Sequence, residues 1–281
     1  TLLTVKTEKG RLQLFFLFLL SGINFLLIRG GTGVAAISQS SAIYSDRAVE
    51  NAAGVNSLWN ALYYIVTNTG NIYGTKLNYM GQAEAERNFR EQLPVTQDTV
   101  QLFNTAKPNV MIIMLESFTA NASHFFSGNN NCTPYLDSIA RHSLSFMKCY
   151  SSGDRTEKGL VSVVSGYPAQ PSSSIIVFPD KMSKLPSLSK TLKKQGYHSM
   201  FMYGGDAEFA SMKSYLVVQQ FDEIMDKKDF KSHQLTSKWG AHDQYLYKNA
   251  SEKLNQLKSP FLSVIMTLSS HEPFDVPHHD D

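Results

Sequence analysis

From Pro108 onward, apolar segments of strand length alternate with segments of helical pattern, and this alternation constrains the fold more than any other feature of the chain. The strand segments are apolar at consecutive positions, so both faces of each strand are expected to be buried. Such strands, separated by helices, are typical of a parallel sheet covered on both faces. We therefore predict an α/β fold. The predicted strands are VMIIML, LSFMKCY, YHSMFMYGG, FDEIM and FLSVIMTLS.

Helix signals lie between these strands. TPYLDSIARHS carries Thr133 as a cap and Pro134 at the first helical position, and SLSKTLKKQG ends at Gly196. DQYLYKNASEKLNQLK has the spacing of an amphipathic helix. Functional residues of such a fold collect just beyond the carboxyl ends of the strands.

Several residues with useful chemistry fall at those strand ends. Glu116 follows the first strand, where a buried charge needs a partner such as a cation or a metal. Asp206 closes YGGD, and His271 lies in TLSSHEPF after the last strand. Thr156 follows a turn and opens a helix, whose terminal N–H groups can stabilise an anion beside the hydroxyl. We expect these residues to share one rim of the sheet.

The N-terminus contains an apolar run, Leu12 to Ile28, of about 17 residues without an ionisable side chain, just long enough to span a bilayer. The alternative is a helix buried in a protein core. More basic residues precede the run than follow it closely, so residues 1–11 are expected in the cytoplasm and the rest outside. No cleavage site is clearly placed after the run. Because the sequence opens at Thr1, we expect earlier spans to precede it.

We divide the chain into a cytoplasmic stub with a transmembrane helix (1–29), a helical extracytoplasmic linker (30–107) and a main domain (108–281). The linker contains two segments of helical pattern, SLWNALYYIVTNTG and AEAERNFREQL, and is expected to lie against the main domain near the membrane. A net charge of +2 with scattered Lys and Arg argues against a nucleic-acid surface.

Only two cysteines are present, Cys132 and Cys149. This number excludes a disulfide-framework fold and a four-thiolate zinc site. A single bridge and two buried free thiols both remain open, since the cysteines flank a predicted helix and its return strand.

Five motifs, in this order, resemble those of the sulfatase-like membrane phosphotransferases of the alkaline phosphatase superfamily, in particular the lipoteichoic acid synthase and phosphoglycerol transferase branch. The resemblance covers roughly Arg29 to the end of the chain. Each motif alone is weak, but their order is fairly specific. The motifs are LES with Glu116, DRTEKG with Thr156, YGGD with the following FASM, SKWGAHDQYLY, and TLSSHEPF with His271.

The resemblance implies a parallel-rich sheet sandwiched by helices and a metal-dependent transferase. Glu116 would be a metal ligand, and Thr156 would be both nucleophile and metal ligand, with Mn²⁺ or Mg²⁺ as cofactor. The phosphothreonine would pass a phosphoglycerol-type head group from a phospholipid to a glycan or lipid acceptor. The protein would lie in a bacterial cell (inner) membrane, with its catalytic domain on the extracytoplasmic or periplasmic side.

The resemblance also implies substrate-binding residues, namely Arg155, Asp206, Lys213 and His271. Lys213 stands where an Arg is usual, so the head-group contacts are expected to differ. In the family an Asp-His pair on a later strand completes the metal site, and no Asp-His dipeptide follows His271. We therefore expect the C-terminal part of the domain, with those ligands, to lie beyond Asp281.

Two other functions remain open. One is a hydrolase of the same fold, a sulfatase or phosphodiesterase that passes the group to water. A sulfatase would need Cys or Ser in a C/S-x-P-x-R context, which the surroundings of Thr156 lack. The other is a non-catalytic membrane protein that binds a lipid or partner. His242 and Asp243 are equally compatible with structural and functional roles.

Overall fold

The structure is a computed structural model that describes residues 8–32, 36–37, 39–68, 80–92, 100–128, 132–171 and 173–275. Helices pack on both faces of one sheet. One helix begins at Pro134 as predicted, but the Thr133 side chain before it makes no capping hydrogen bond. At the start of another helix, Ser187 accepts the Lys190 N–H and satisfies an otherwise unpaired donor. The helices are α1 (Glu8–Arg29), α2 (Ala48–Ala53), α3 (Ser57–Asn68), α4 (Gln82–Gln92), α5 (His124–Ser127), α6 (Pro134–Arg141), α7 (Thr156–Ser165), α8 (Pro179–Met182), α9 (Leu188–Lys193), α10 (Met212–Val218) and α11 (Asp243–Leu254).

The sheet contains four parallel strands, which confirms the predicted α/β class. They are β1 (Val110–Met114), β2 (His198–Tyr203), β3 (Glu223–Met225) and β4 (Phe261–Met266), in the order β1-β4-β2-β3. Met266 of β4 is in register with the last residues of β1 and β2. The three strands therefore end at the same level and form one rim.

The core lies on both faces of this sheet. On the first face, β4 side chains such as Val264 pack with Leu160 of α7 and Tyr215 of α10. On the second face, Met200 and Met202 of β2 and Ile265 of β4 belong to a cluster with Leu246 of α11. Burial of each large apolar side chain contributes about 1.5–3 kcal/mol relative to its exposure. Helices on both sides therefore fix β2 and β4 in the centre.

Strand β1 departs from the predicted burial on both faces. Ile112 and Met114 pack against the first core cluster, but Met111 and Ile113 on the opposite face are exposed. The apolar residues of α11 pack into the cluster built on β2 and β4, and β1 lies at the edge of the sheet. Among the described residues, the helical layer formed by α11 therefore does not extend over β1.

The predicted strand LSFMKCY is wrong. Residues 144–150 have no regular secondary structure, and their large apolar side chains, including Leu144, Phe146 and Tyr150, are exposed. A strand requires a neighbour for its backbone hydrogen bonds, and within the described residues no strand pairs with this segment. Cys132, which precedes this segment, and Cys149, which lies within it, are both unbridged. Both thiols are exposed, so the expectation of buried free thiols is wrong as well.

The N-terminal region contains the predicted helices α1, α3 and α4. Helix α1 is long and apolar enough to cross a membrane by length and composition, over Gly10–Arg29. Contact with the main domain comes from the segment after α1, where Ile43 packs against the first core cluster and Asp46 accepts a hydrogen bond from Gln220 at 2.6 Å. Helix α4 has no buried residue.

Candidate active site

Glu116 and Thr156 meet at the rim of the sheet. The Thr156 hydroxyl donates to both carboxylate oxygens of Glu116, each at 3.0 Å. Glu116 lies two residues beyond β1, and Thr156 is the first residue of α7. Both side chains are half-buried. A hydroxyl at a helix N-terminus is thus held beside a carboxylate, as expected from their positions at strand end and helix start.

The position of Glu116 is set by the neighbouring strand β4. The Glu116 N–H donates to the Thr267 hydroxyl at 2.8 Å, and the Thr267 N–H donates to the Met114 carbonyl at 3.0 Å. Ser117 has a left-handed φ of 50°, which turns the chain sharply just after Glu116. Its hydroxyl donates to a Glu116 oxygen at 3.2 Å. The sequence did not reveal the role of Thr267, although its place directly after an apolar strand was a signal.

Arg155 is the N-cap residue of α7. Its side chain is exposed and makes no capping hydrogen bond. Arg155 directly precedes Thr156 and therefore adds positive charge near the N-terminus of α7. This end of the helix favours an anionic ligand.

Asp206 lies in the loop after β2 and Lys213 lies in the first turn of α10, and Glu208 contacts both residues. The Glu208 N–H donates to Asp206 at 2.9 Å, while its carboxylate lies 3.3 Å from the Lys213 ammonium. Ala210 and Ser211 between them both have left-handed φ angles, 50° and 64°. Within the described residues, no hydrogen bond joins this loop to Glu116 or Thr156.

Tyr203, which the sequence did not indicate, is the last residue of β2 and is buried at the rim. Burial raises the pKa of the Tyr203 phenol, and the carboxylates of Glu116, Asp206 and Asp243 raise it further. The ring edge occupies the space beside Gly205, where a Cβ would lie 2.5 Å from the ring. The negative charge of these three carboxylates therefore favours the neutral form of the Tyr203 phenol.

His271 lies at the far side of the rim, after β4. Its ring is 5.1 Å from the ring of Trp239, and its Nδ1 is 2.8 Å from the Glu272 carbonyl. The Trp239 indole N–H donates to the same carbonyl at 2.7 Å. Among the residues that the structure describes, His271 makes no hydrogen bond to Glu116 or Thr156.

The YGGD and SKWGAHDQYLY motifs meet backbone to backbone. The Ala241 N–H donates to the Gly204 carbonyl at 2.9 Å, and Gly205 pairs with Gly240 in an isolated bridge. A Cβ at Gly204 would lie 2.4 Å from the Ala241 carbonyl oxygen, and one at Gly240 would lie 2.1 Å from the Gly204 carbonyl oxygen. This approach requires glycine at both positions.

His242 and Asp243 make structural contacts beside this junction. His242 is buried, and its ring nitrogens contact the Thr236 hydroxyl at 2.6 Å and the Asp275 carbonyl at 3.0 Å. Asp243 accepts the Leu268 N–H at 2.7 Å and the Ser269 N–H at 3.2 Å. The two residues thus connect the start of α11 to the segment after β4.

The donor atoms at the rim are oxygen atoms, the type of ligand that hard divalent cations prefer. The carboxylate of Glu116 and the hydroxyl of Thr156 are hard oxygen donors, which Mg²⁺ and Mn²⁺ prefer. Within the described residues, no group of three or more His, Cys, Asp or Glu side chains is placed to hold a metal ion. The rim therefore supplies two oxygen ligands of a possible site.

The protein-family model described as Sulfatase matches residues 108–280, more than half of the chain. The chain belongs to the sulfatase family. All of the predicted site residues lie inside the matched range, and the resemblance seen in the sequence motifs is confirmed at the level of the family.

Relatives within this sulfatase group include two bacterial proteins. The chain is 24% identical over 224 residues to the lipoteichoic acid synthase-like YvgJ of Bacillus subtilis, covering 78% of this chain and 36% of that protein. It is 33% identical over 93 residues to phosphoglycerol transferase I of Xanthomonas campestris, covering 31% of this chain and 13% of that protein. The chain thus spans about a third of the first relative and less of the second.

A solved structure supports the sulfatase fold. A protein in the alkaline phosphatase superfamily from Vibrio parahaemolyticus is 30% identical, with a TM-score of 0.59 over 64% of this chain and 44% of that chain. The predicted alkaline phosphatase-like α/β architecture is therefore confirmed.

Proposed function

We propose that the protein transfers a phosphoglycerol-type head group from a phospholipid to a hydroxyl of a glycan or lipid, by way of a phosphothreonine at Thr156. The observation that carries this proposal is the Thr156 hydroxyl held 3.0 Å from both Glu116 oxygens at the start of α7. The names of the Bacillus and Xanthomonas relatives support the class of reaction. Since the chain spans a minor part of both, the complete activity belongs to the proposal.

In the first step, the Thr156 oxygen, its proton released to water, attacks the phosphorus of the phospholipid. The Oγ–P bond forms, and the P–O bond to diacylglycerol breaks. His271 gives a proton to the departing diacylglycerol oxygen. In the second step, the acceptor hydroxyl gives a proton to His271 and attacks phosphorus, which breaks the Oγ–P bond and restores Thr156. The alternative role of His271 is that of a ligand to the substrate phosphate.

Positive charge and N–H donors at the start of α7 suit the phosphoryl group. Arg155 is exposed beside Thr156 and offsets phosphate charge, while the first N–H groups of the helix point toward the same end. Asp206, in the loop after β2, and Lys213, at the start of α10, are proposed to contact the head group. These contacts position the phosphorus near the threonine.

Glu116 and Thr156 would hold Mn²⁺ or Mg²⁺. When bound, such a cation lowers the pKa of the hydroxyl and neutralises charge on a phosphoryl oxygen. Within the described part of the chain, no third His, Cys, Asp or Glu ligand is grouped with them. Helix α1 is proposed as the membrane anchor, with residues 108–281 outside the cytoplasm of a bacterial cell.

The test compares wild type with Thr156→Ala on phosphatidylglycerol vesicles, with released diacylglycerol as the measurement. We expect turnover to fall by at least about 10³-fold, because the nucleophile is lost. Unfolding free energy should change by no more than about 1 kcal/mol, since the lost hydrogen bond is half-exposed. Thr156→Ser should retain part of the activity, and Thr191→Ala in α9 is the matched control.

Intact-mass analysis of stalled enzyme should show one phosphoglycerol group on Thr156 of wild type and none on Thr156→Ala. Diacylglycerol release at the wild-type rate by Thr156→Ala would rule out the nucleophile. If free glycerol phosphate accumulates in the presence of a glycan or lipid acceptor, the protein is a hydrolase of the same fold. If wild type binds the vesicles without turnover, the non-catalytic alternative is correct.

A further inference from the structure

Lys158 is a buried lysine one half-turn beyond the proposed nucleophile. Only 6% of its side chain is exposed, although lysine is rarely buried without a partner. Its ammonium lies 2.8 Å from an Asp154 oxygen, and the Asp154 side chain is 74% exposed. The proposed chemistry does not use either residue, so the burial of this charge calls for another role.

The pair straddles the start of α7. Asp154 precedes the N-cap residue Arg155, and Lys158 lies in the first turn. Since Arg155 provides no capping hydrogen bond, the Lys158–Asp154 contact is a side-chain link across the point where loop becomes helix. Thr156 lies between the two linked residues.

Packing holds the stem of Lys158 against the same loop. A Cβ at Gly153 would lie 2.9 Å from the Cβ atoms of both Lys158 and Ala169, so the loop backbone passes directly over these side chains. The Lys158 side chain is therefore held at both ends, because its stem packs against the loop and its ammonium contacts Asp154. The loop cannot move away from α7 without breaking one of these contacts.

We propose that Lys158 and Asp154 are positioning residues, which hold the 153–156 turn so that the Thr156 hydroxyl faces Glu116 and the phosphorus of the substrate. The inference rests on the proposed function for its catalytic consequence. It makes a separate structural statement, that this ion pair holds the loop before α7. Small displacements of a nucleophile reduce the rate of the chemical step more than they reduce binding.

The experiment uses Lys158→Met, which keeps the buried stem and removes the charge, and Asp154→Asn, which removes the opposite charge. On phosphatidylglycerol vesicles, each should lower kcat at least about tenfold and change KM less than about twofold. The double variant should be no slower than the slower single variant, because the two residues act as one unit. Asp154→Glu should recover part of kcat.

The matched control is Lys253→Met, which removes a lysine paired with Glu223 at 3.1 Å, at the amino end of β3. It should leave kcat unchanged. Asp154→Asn leaves a buried cation without its partner and could unfold the protein, so Lys158→Met decides the matter. Wild-type kcat in folded Lys158→Met would overturn the positioning role.

Hydrogen exchange of residues 151–160 separates this inference from the proposed function. Exchange in Lys158→Met should accelerate within this segment and remain unchanged in β2 and β4. If wild type shows no turnover, the proposed function is wrong. The hydrogen-exchange result alone then tests whether the Lys158–Asp154 pair holds the loop. Local acceleration would then support it as the link that holds the loop, and unchanged exchange would overturn it.

Discussion

Glu116 and Thr156 meet through their side chains, whereas residues 204–205 and 240–241, on the other side of the same rim, meet through their backbones. We refer to these as the nucleophile side and the junction side. On the nucleophile side, a hydroxyl and a carboxylate are 3.0 Å apart and half-exposed. On the junction side, Gly204, Gly240 and Ala241 are buried, and neither glycine has room for a Cβ atom.

The two sides are therefore expected to have different roles, with the chemistry on the nucleophile side and the stabilisation of the fold on the junction side. A side-chain contact at a half-exposed position can be removed while the backbone stays in place. A backbone contact between two glycines cannot be changed without moving both segments. We therefore expect substitutions on the nucleophile side to affect ligand binding and turnover, and substitutions on the junction side to affect folding.

Among substitutions that test this difference, the largest effect on metal binding is expected for Glu116→Ala. The variant removes the anionic member of the two oxygen donors, so affinity for Mn²⁺ or Mg²⁺ should fall at least about 100-fold in calorimetry, beyond the usual effect of an outer ligand partner. Turnover should fall with it, while the unfolding midpoint stays close to wild type. The matched control is Glu223→Ala, a carboxylate at the amino end of β3. Equal Mn²⁺ affinity in wild type and Glu116→Ala would contradict the assignment.

Gly204→Ala should have the next largest effect, and on stability instead of binding. The new methyl would lie 2.4 Å from the Ala241 carbonyl oxygen, a backbone atom that cannot rotate away. We expect a loss of about 3 kcal/mol in unfolding free energy, at the upper end for overpacked sites. Denaturation in urea measures it.

The control for this variant is Gly159→Ala in α7, where the added methyl would meet only the end of Met114 at 4.0 Å. That change should be neutral or stabilising, because alanine favours a helix over glycine. Equal stability of the Gly204 and Gly159 variants would mean that the junction is not tightly packed.

The sequence was sufficient to predict what depends on local pattern. Consecutive apolar residues in VMIIML and FLSVIMTLS predicted parallel strands, and the strand end and helix start placed Glu116 and Thr156 on one rim. Their contact follows from those positions. The family resemblance, carried by motifs in order, is likewise confirmed.

The sequence was insufficient where the outcome depends on distant partners. LSFMKCY has a strand-like composition, but whether it pairs is decided by the availability of a neighbouring strand. The exposed face of β1 depends on how far the α11 layer extends. Tyr203 is in register with Met266 of β4, a pairing between distant residues that the local sequence pattern did not indicate. The substrate roles of Arg155, Asp206, Lys213 and His271 remain predictions.

The smallest expected effect concerns Asp137, which holds the chain segment that follows Glu116 on the nucleophile side. Asp137 is almost fully buried, and its carboxylate accepts hydrogen bonds from the Ser123 hydroxyl and, at 3.1 Å, from the His124 N–H. The Ser123 hydrogen bond is the main cause that lowers the pKa of Asp137 below its ordinary value, and the backbone N–H groups contribute further. The link between α5 and α6 should therefore weaken in acid.

The sign follows from the direction of this pKa shift. A carboxyl with a lowered pKa in the folded state stabilises the protein above its unfolded pKa, and this stability is lost as pH falls through the folded pKa. At about pH 7, Asp137→Asn should therefore have a lower urea concentration at its unfolding midpoint than wild type. The difference between the two midpoints should narrow as the pH is lowered toward about 3. Ser123→Ala should show the same trend, and the double variant should add little because both changes break one contact. A wild-type advantage that stays constant across this range would show that the Asp137 carboxylate does not control the stability of the segment after Glu116, and the nucleophile side would then be held by packing, as the junction side is.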